Sequence, residues 1–185
     1  MRIIGGNFRG KKIFPPKDKA TRPLRDLVKE SIFNLIDHSK KFKCSVNDSN
    51  ILDLFSGTGS FGLECISRNA KKVTFLENYI GALIVLKKNI LSLKAKKKSE
   101  IIEEDCFNFL SKKKLKEKFD IIFIDPPYKE ERINLIIDTI KDEKILADNG
   151  VLIIHRHKKD TVVISNKLNI LDNRNYGISK IIIGN

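Results

Sequence analysis

The 185-residue chain has no tryptophan, one methionine and three cysteines, Cys44, Cys65 and Cys106. The cysteines are scattered, with no C-x-x-C pair and no histidine at zinc-ligand spacing, which argues against a disulfide framework and a structural zinc site. Cys65 and Cys106 lie in apolar segments and read as small core residues of a protein kept in a reducing cytoplasm. No apolar run approaches the roughly 20 residues that a membrane span needs, and the opening MRIIGGNFRG lacks the apolar core of a signal peptide. A soluble, cytoplasmic protein is expected. Acidic residues are scarce beside basic ones: 23 Asp+Glu face 36 Lys+Arg, for a formal net charge of +13. That excess favours polyanionic partners, nucleic acid above all. Lys, Ile and Asn are abundant throughout, so part of the charge is ordinary solvated surface, as at 94–98 and 112–114.

At 41% hydrophobic residues the chain can form one full-sized domain and a small appendage. The appendage is expected at 1–20, where RIIGGNFRGKKIFPP reads as two short β runs around GNFRG. This β-hairpin arm carries Arg2, Arg9, Lys11 and Lys12 and is ended by Pro15 and Pro16. In the main domain, 21–185, Leu24, Leu27, Val28, Ile32, Leu35 and Ile36 recur at helical spacing behind Pro23, predicting a helix over 23–38. Strands are then predicted at 50–54, 72–76, 100–104, 119–124 and 150–155, and helices at 60–68, 79–93, 106–113 and 131–141. Apolar β-branched runs alternating with helix-length segments imply an α/β fold with a parallel sheet covered on both faces. Beyond Asp160 the rhythm changes. TVVIS, KLNILDNRNYG and SKIIIGN read as two or three strands, an antiparallel hairpin closing one sheet edge.

GTGSFG, residues 57–62, matches the G-x-G-x-x-G pattern that seats a pyrophosphate on a helix N-terminus. Asp53, four residues before Gly57, sets a carboxylate where that pyrophosphate would arrive. A ligand with cationic groups suits the position better, and S-adenosylmethionine carries an α-ammonium and a sulfonium but no phosphate. Gly57 and Gly59 would allow its close approach. Three more acids end strands at the same edge: Glu77, suited to ribose hydroxyls, then Asp105 and Asp125.

FDIIFIDPPYKE adds a second constellation. Asp125-Pro126-Pro127-Tyr128 follows an apolar strand, and its prolines remove two N–H donors and leave carbonyls as the dominant backbone groups. The Asp125 carboxylate and the Pro126 carbonyl can accept the two N–H bonds of a planar exocyclic amino group, with Tyr128 offering a face to the base. In IIHRHKK, His155 and His157 share one face of a strand; without a third ligand nearby they read as rim residues, and no metal is expected.

The segments RIIGGNFRGKKI, TRPLRDLVKESIFNLI, LDLFSGTGSFGLECISR and FDIIFIDPPY together resemble the RsmD-type 16S rRNA guanine-N2 methyltransferases, class I S-adenosylmethionine-dependent enzymes, over essentially the whole chain. The resemblance implies a Rossmann-like, seven-stranded, mostly parallel sheet with an N-terminal β-hairpin arm that contacts RNA. It also implies methylation of guanine 966 of 16S rRNA, in the small ribosomal subunit or its assembly intermediate. No apolar stripe in the sequence suggests a dimer, so a monomer is expected. Matched by motif, Asp53, Phe55, Gly57 and Gly59 would hold S-adenosylmethionine, Glu77 and Asn78 its ribose, and Asp105 with Cys106 its adenine. Asp125, Pro126 and Tyr128 would hold the guanine, Pro127 and the basic residues of the arm would face RNA, and Arg22 and Arg25 would contact RNA or order the cofactor pocket. An acid expected near Arg156 is missing. An adenine-N6 methyltransferase would also use D-P-P-Y, and a non-enzymatic rRNA-binding assembly factor would keep the fold without the cofactor.

Overall fold

The strands NILDL, KVTFL and FDIIFI are mostly apolar and buried at all but one position each, as strands are where both faces of a sheet are covered. In the structure, a computed structural model that describes residues 1–16, 24–112 and 117–185, they form the centre of a seven-stranded sheet. In chain order the elements are α1 (Asp26–His38), β1 (Asn50–Leu54), α2 (Ser60–Ser67), β2 (Lys72–Leu76), α3 (Ile80–Ser92), β3 (Ser99–Ile102), α4 (Cys106–Ser111), β4 (Phe119–Ile124), α5 (Ile133–Asp142), β5 (Leu146–His157), β6 (Ile170–Tyr176) and β7 (Ser179–Gly184). The strand order is β3-β2-β1-β4-β5-β7-β6. β1 to β5 pair in parallel; β7 joins β5 antiparallel and β6 joins β7 antiparallel, so the expected C-terminal edge is present. The order reverses between β1 and β4, which creates a crevice beyond their carboxyl ends, the usual ligand position in such sheets.

Alternate strand residues feed two cores. Ile51, Phe75, Ile121, Phe123, Val151 and Ile153 pack with α1, α2 and α3; Leu52, Leu54, Ile122, Ile124, Leu152 and Ile154 pack with α4 and α5. Among the described residues no helix is long and apolar enough to cross a membrane.

Three expectations change. The helix predicted over 23–38 begins at Asp26, because Arg25 is extended; residues 17–23 and 113–116, with Arg22 among them, lie outside the described residues. TVVIS joins no strand: Asp160 accepts the Val162 N–H, and Asn134 of α5 donates to the Val163 carbonyl while accepting the Ser165 N–H. Those side chains satisfy the backbone groups that a ladder would otherwise take. Lastly, the two β runs of the N-terminal segment pair only briefly: an antiparallel Arg2–Lys12 bridge, flanked by the Ile3 N–Lys11 O and Ile13 N–Met1 O bonds, encloses a 3-10 turn, Gly6–Phe8.

The turn lies on α2. Glu64, fully buried in α2, accepts the Ile4 and Gly5 N–H groups at 2.9 and 2.7 Å, and Ser67 Oγ accepts from Phe8 N at 2.8 Å. A Cβ on Gly6 would stand 1.9 Å from the Ser67 carbonyl oxygen, so only glycine lets the segment approach this closely. Docked above and packed on the sheet below, every residue of α2 is buried.

Candidate active site

The loop after β1 turns sharply. Phe55 holds a left-handed φ of 57°, and Gly57 and Gly59 have φ of 55° and 83°. A bulky residue held there is a marker of a constrained functional turn. α2 starts at Ser60, and its third N–H, on Gly62, donates to Asp53 Oδ2 at 3.0 Å. The Asp53 side chain therefore occupies the helix N-terminus itself, with 1% of the residue exposed, and burial holds its carboxyl well above the usual carboxylate range. A pyrophosphate has no place on this helix end.

Asp53, Phe55, Gly57, Glu77, Asn78, Asp105, Asp125, Pro126, Pro127, Tyr128 and Arg25 line one cavity of about 1060 Å³ at the carboxyl edge of the sheet. Glu77 organises the loops: Oε2 accepts from Gly57 N at 2.7 Å, and Oε1 accepts from Asn78 N and Tyr79 N at 2.9 and 2.8 Å. One lone pair of Oε2 is left over to meet a hydroxyl. Asp105 caps α4 through Oδ1, which accepts from Phe107 N and Asn108 N, while Oδ2 lies 3.5 Å from Asn78 Nδ2.

Two expected cofactor residues are not in the cavity wall. Gly59 packs under the loop, where a Cβ would meet Leu86 Cδ1 at 2.5 Å. Cys106 is buried in the core beneath α4, where burial pushes its thiol up. The aromatic wall on that side is Phe107, set edge-on to Phe55 with ring centroids 6.4 Å apart and covered by the Arg132 guanidinium at 3.8 Å. Phe107 follows Asp105 by two residues, and that spacing was the available signal. Arg2, Arg9, Lys11 and Lys12 lie on the docked N-terminal segment, exposed and outside the cavity.

Asp125 stands at the opposite wall. Its Oδ1 is 2.8 Å from His155 Nδ1, and His155 Nε2 is 2.8 Å from Ser179 Oγ. His157 sets its ring edge-on to Tyr128, centroids 5.3 Å apart. The two histidines belong to the site wall and not to its rim. The alignment of Asp125 with His155 was readable in the apolar runs IIFI and VLII, which the two residues follow. Arg156, where an acid was expected, turns to Asp160 and is buried; Arg132 pairs with Glu130 at 2.7 Å. Among the described residues no group of three or more His, Cys, Asp or Glu is arranged to hold a metal ion.

A cofactor site of this composition has a distinct chemical demand. Two carboxylates, Asp53 and Glu77, flank a glycine turn, and Ser60 Oγ, at the start of α2, is buried in the cavity wall with no partner. A buried hydroxyl left unsatisfied points to a polar ligand group beside it. S-adenosylmethionine, with an ammonium, a ribose and a carboxylate, fits that donor set.

A family model described as "Conserved hypothetical protein 95" matches residues 1–185. "Ribosomal RNA small subunit methyltransferase D" of Haemophilus influenzae is 32% identical over 179 residues, 96% of this chain and 90% of its own length. The chain belongs to the RsmD-type family of S-adenosylmethionine-dependent methyltransferases. The RsmD-type relative from Escherichia coli carries the same name and is 32% identical over 154 residues, 83% of this chain and 73% of its own. A solved Escherichia coli protein described as a methyltransferase superposes with a TM-score of 0.84 at 27% identity, covering all of this chain and 96% of that one. The seven-stranded sheet is thus the class I methyltransferase fold in its RsmD-type form.

Proposed function

We propose that this chain transfers a methyl group to the exocyclic N2 of a guanine in small-subunit 16S rRNA. The observation that carries the reading is the placement of Asp125-Pro126, a carboxylate and a donor-free peptide, in the wall of the cavity that also holds Asp53, Glu77 and Asp105. The names of the relatives supply the substrate class.

S-adenosylmethionine supplies an electrophilic methyl group on a sulfonium, already a good leaving group. Asp53 and Glu77 would hold its cationic and ribose groups, Ser60 Oγ its carboxylate, and Phe107 with Asp105 its adenine. Asp125 and the Pro126 carbonyl accept the two amino N–H bonds of the guanine, which turns the nitrogen lone pair toward the methyl carbon. Positioning supplies most of the rate. As the new N–C bond forms and the S–C bond breaks, one amino proton leaves to Asp125 or solvent. Tyr128, exposed at the mouth, stacks the base, which must be unstacked from the RNA to enter. Arg25 at the cavity wall and the basic N-terminal segment outside it, with Arg2, Arg9, Lys11 and Lys12, would contact RNA phosphates.

The test is transfer of labelled methyl to small subunits, free rRNA and DNA, with the product nucleotide mapped. Incorporation at a guanine N2 that falls to background in Asp125→Ala is expected. Equal incorporation by a folded Asp125→Ala protein sinks the assignment. Label in adenine would instead mark an N6 enzyme, and failure to bind S-adenosylmethionine in calorimetry would mark an assembly factor.

A further inference from the structure

Asp125 follows β4 by one residue, and His155 lies within the neighbouring parallel strand β5. Ile124 of β4 pairs with Ile154 of β5, so the residues after them stand side by side. β7 adds the third group: Ser179 pairs with His157 across the antiparallel join and so shares a sheet face with His155. Three strands thereby set a continuous line, Asp125 Oδ1 to His155 Nδ1 at 2.8 Å and His155 Nε2 to Ser179 Oγ at 2.8 Å. Asp125 and His155 side chains are 25% and 19% exposed, wet enough to meet a substrate and confined enough to hold one geometry.

The donor directions follow from the chemistry. An ionised carboxylate only accepts, so the shared proton sits on Nδ1 and is donated to Asp125 Oδ1. In a neutral imidazole Nε2 is then an acceptor, and the Ser179 hydroxyl donates to it. This arrangement engages Oδ1 and leaves Oδ2 without a partner among the described residues, on a residue that lines the cavity.

We propose that His155, pinned by Ser179, is a positioning residue that locks the Asp125 carboxylate, leaving one oxygen for the target amino group. The inference rests on the role given above to Asp125. Without the lock, the Asp125 side chain is free to rotate about two torsions, and its acceptor oxygen leaves the line of attack. No proton passes through the ring in this assignment, so a neutral amide that reproduces the Nδ1–H bond should suffice in its place.

The experiment compares His155→Ala, His155→Asn and Ser179→Ala by steady-state kinetics on small subunits. Asparagine keeps an N–H donor near the Nδ1 position but carries no titrating ring. Expected are a fall in kcat of about 10- to 100-fold for His155→Ala with KM for S-adenosylmethionine near wild type, as for a misplaced reacting group. His155→Asn should recover most of the loss, and Ser179→Ala should lose less than His155→Ala. Wild-type kcat in His155→Ala, or His155→Asn as slow as His155→Ala, overturns the proposal. A second readout needs no turnover. Nitrogen-15 NMR of the imidazole in the wild-type protein should report a proton on Nδ1; a ring carrying its proton on Nε2 alone overturns it. If the wild type methylates no nucleic acid, the functional reading fails, and the ring state alone then decides the Asp125–His155–Ser179 geometry.

Discussion

Lys29 of α1 and Glu64 of α2 are both wholly buried, with Nζ 3.4 Å from Oε2. Lys29 also donates to the Arg2 carbonyl at 2.7 Å, and Glu64 accepts from Ile4, Gly5 and Arg68. Burial pulls the Lys29 ammonium below its usual range, against the pull of Glu64. The pair ties the N-terminal segment to both helices.

Lys29→Met should therefore destabilise the protein by up to about 3–5 kcal/mol, because it removes the buried ammonium from Glu64 and leaves that carboxylate with the partly exposed Arg68 alone. Chemical denaturation measures this. The double variant Lys29→Met/Glu64→Gln should recover part of the loss, since no unpaired charge remains; strict additivity of the two single changes would refute the coupling.

Asp53→Asn tests the cost of a buried acid. The folded carboxyl is raised well above 3.8, chiefly by desolvation, so its contribution to stability is full below that value and is lost as pH rises through the raised one. The Asn variant keeps an acceptor for the Gly62 N–H and escapes this loss. Its stability relative to wild type should grow as pH rises above about 4. At the same time its affinity for S-adenosylmethionine should fall. A flat stability difference across pH would mean the wild-type carboxyl is not perturbed.

Gly62 fails as a phosphate-loop residue and serves packing instead. A Cβ there would lie 2.3 Å from Phe75 Cε1 and 2.8 Å from Val73 Cγ1, both in the core. Gly62→Ala should cost roughly 1–3 kcal/mol of stability by overpacking, measured as a lowered denaturation midpoint. Gain of stability from the better helix former would refute the packing role.

Tyr128 should act through its ring face. Tyr128→Ala is expected to raise KM for the RNA substrate, by the loss of about 1–3 kcal/mol of base stacking, while Tyr128→Phe stays near wild type. A Phe variant as impaired as the Ala variant would place the function in the hydroxyl.

Much of this was local and therefore legible. Strands at 50–54, 72–76 and 119–124 emerge where expected because short runs rich in apolar residues end at polar or turn-forming residues, Phe55-Ser56-Gly57, Glu77-Asn78 and Asp125-Pro126. The acids Asp53, Glu77, Asp105 and Asp125 fall at one edge because a parallel sheet aligns strand ends. Cys106 misled because it adjoins a wall residue while its side chain enters the core on the first turn of α4. TVVIS misled because its β-branched pattern says nothing of the Asn134 and Asp160 groups that meet its backbone.

The amino-acid order by itself determined the element types, the glycine turn and the chemistry available at each strand end, since all three depend on neighbours in sequence. The tertiary structure alone decided which groups meet: His155 with Asp125 across 30 residues, Ser179 with His155 across 24, and Glu64 with the N–H groups of Ile4 and Gly5 across 60 and 59. Periodicity states which face of an element is buried. Register and the need to satisfy every buried donor choose the partner.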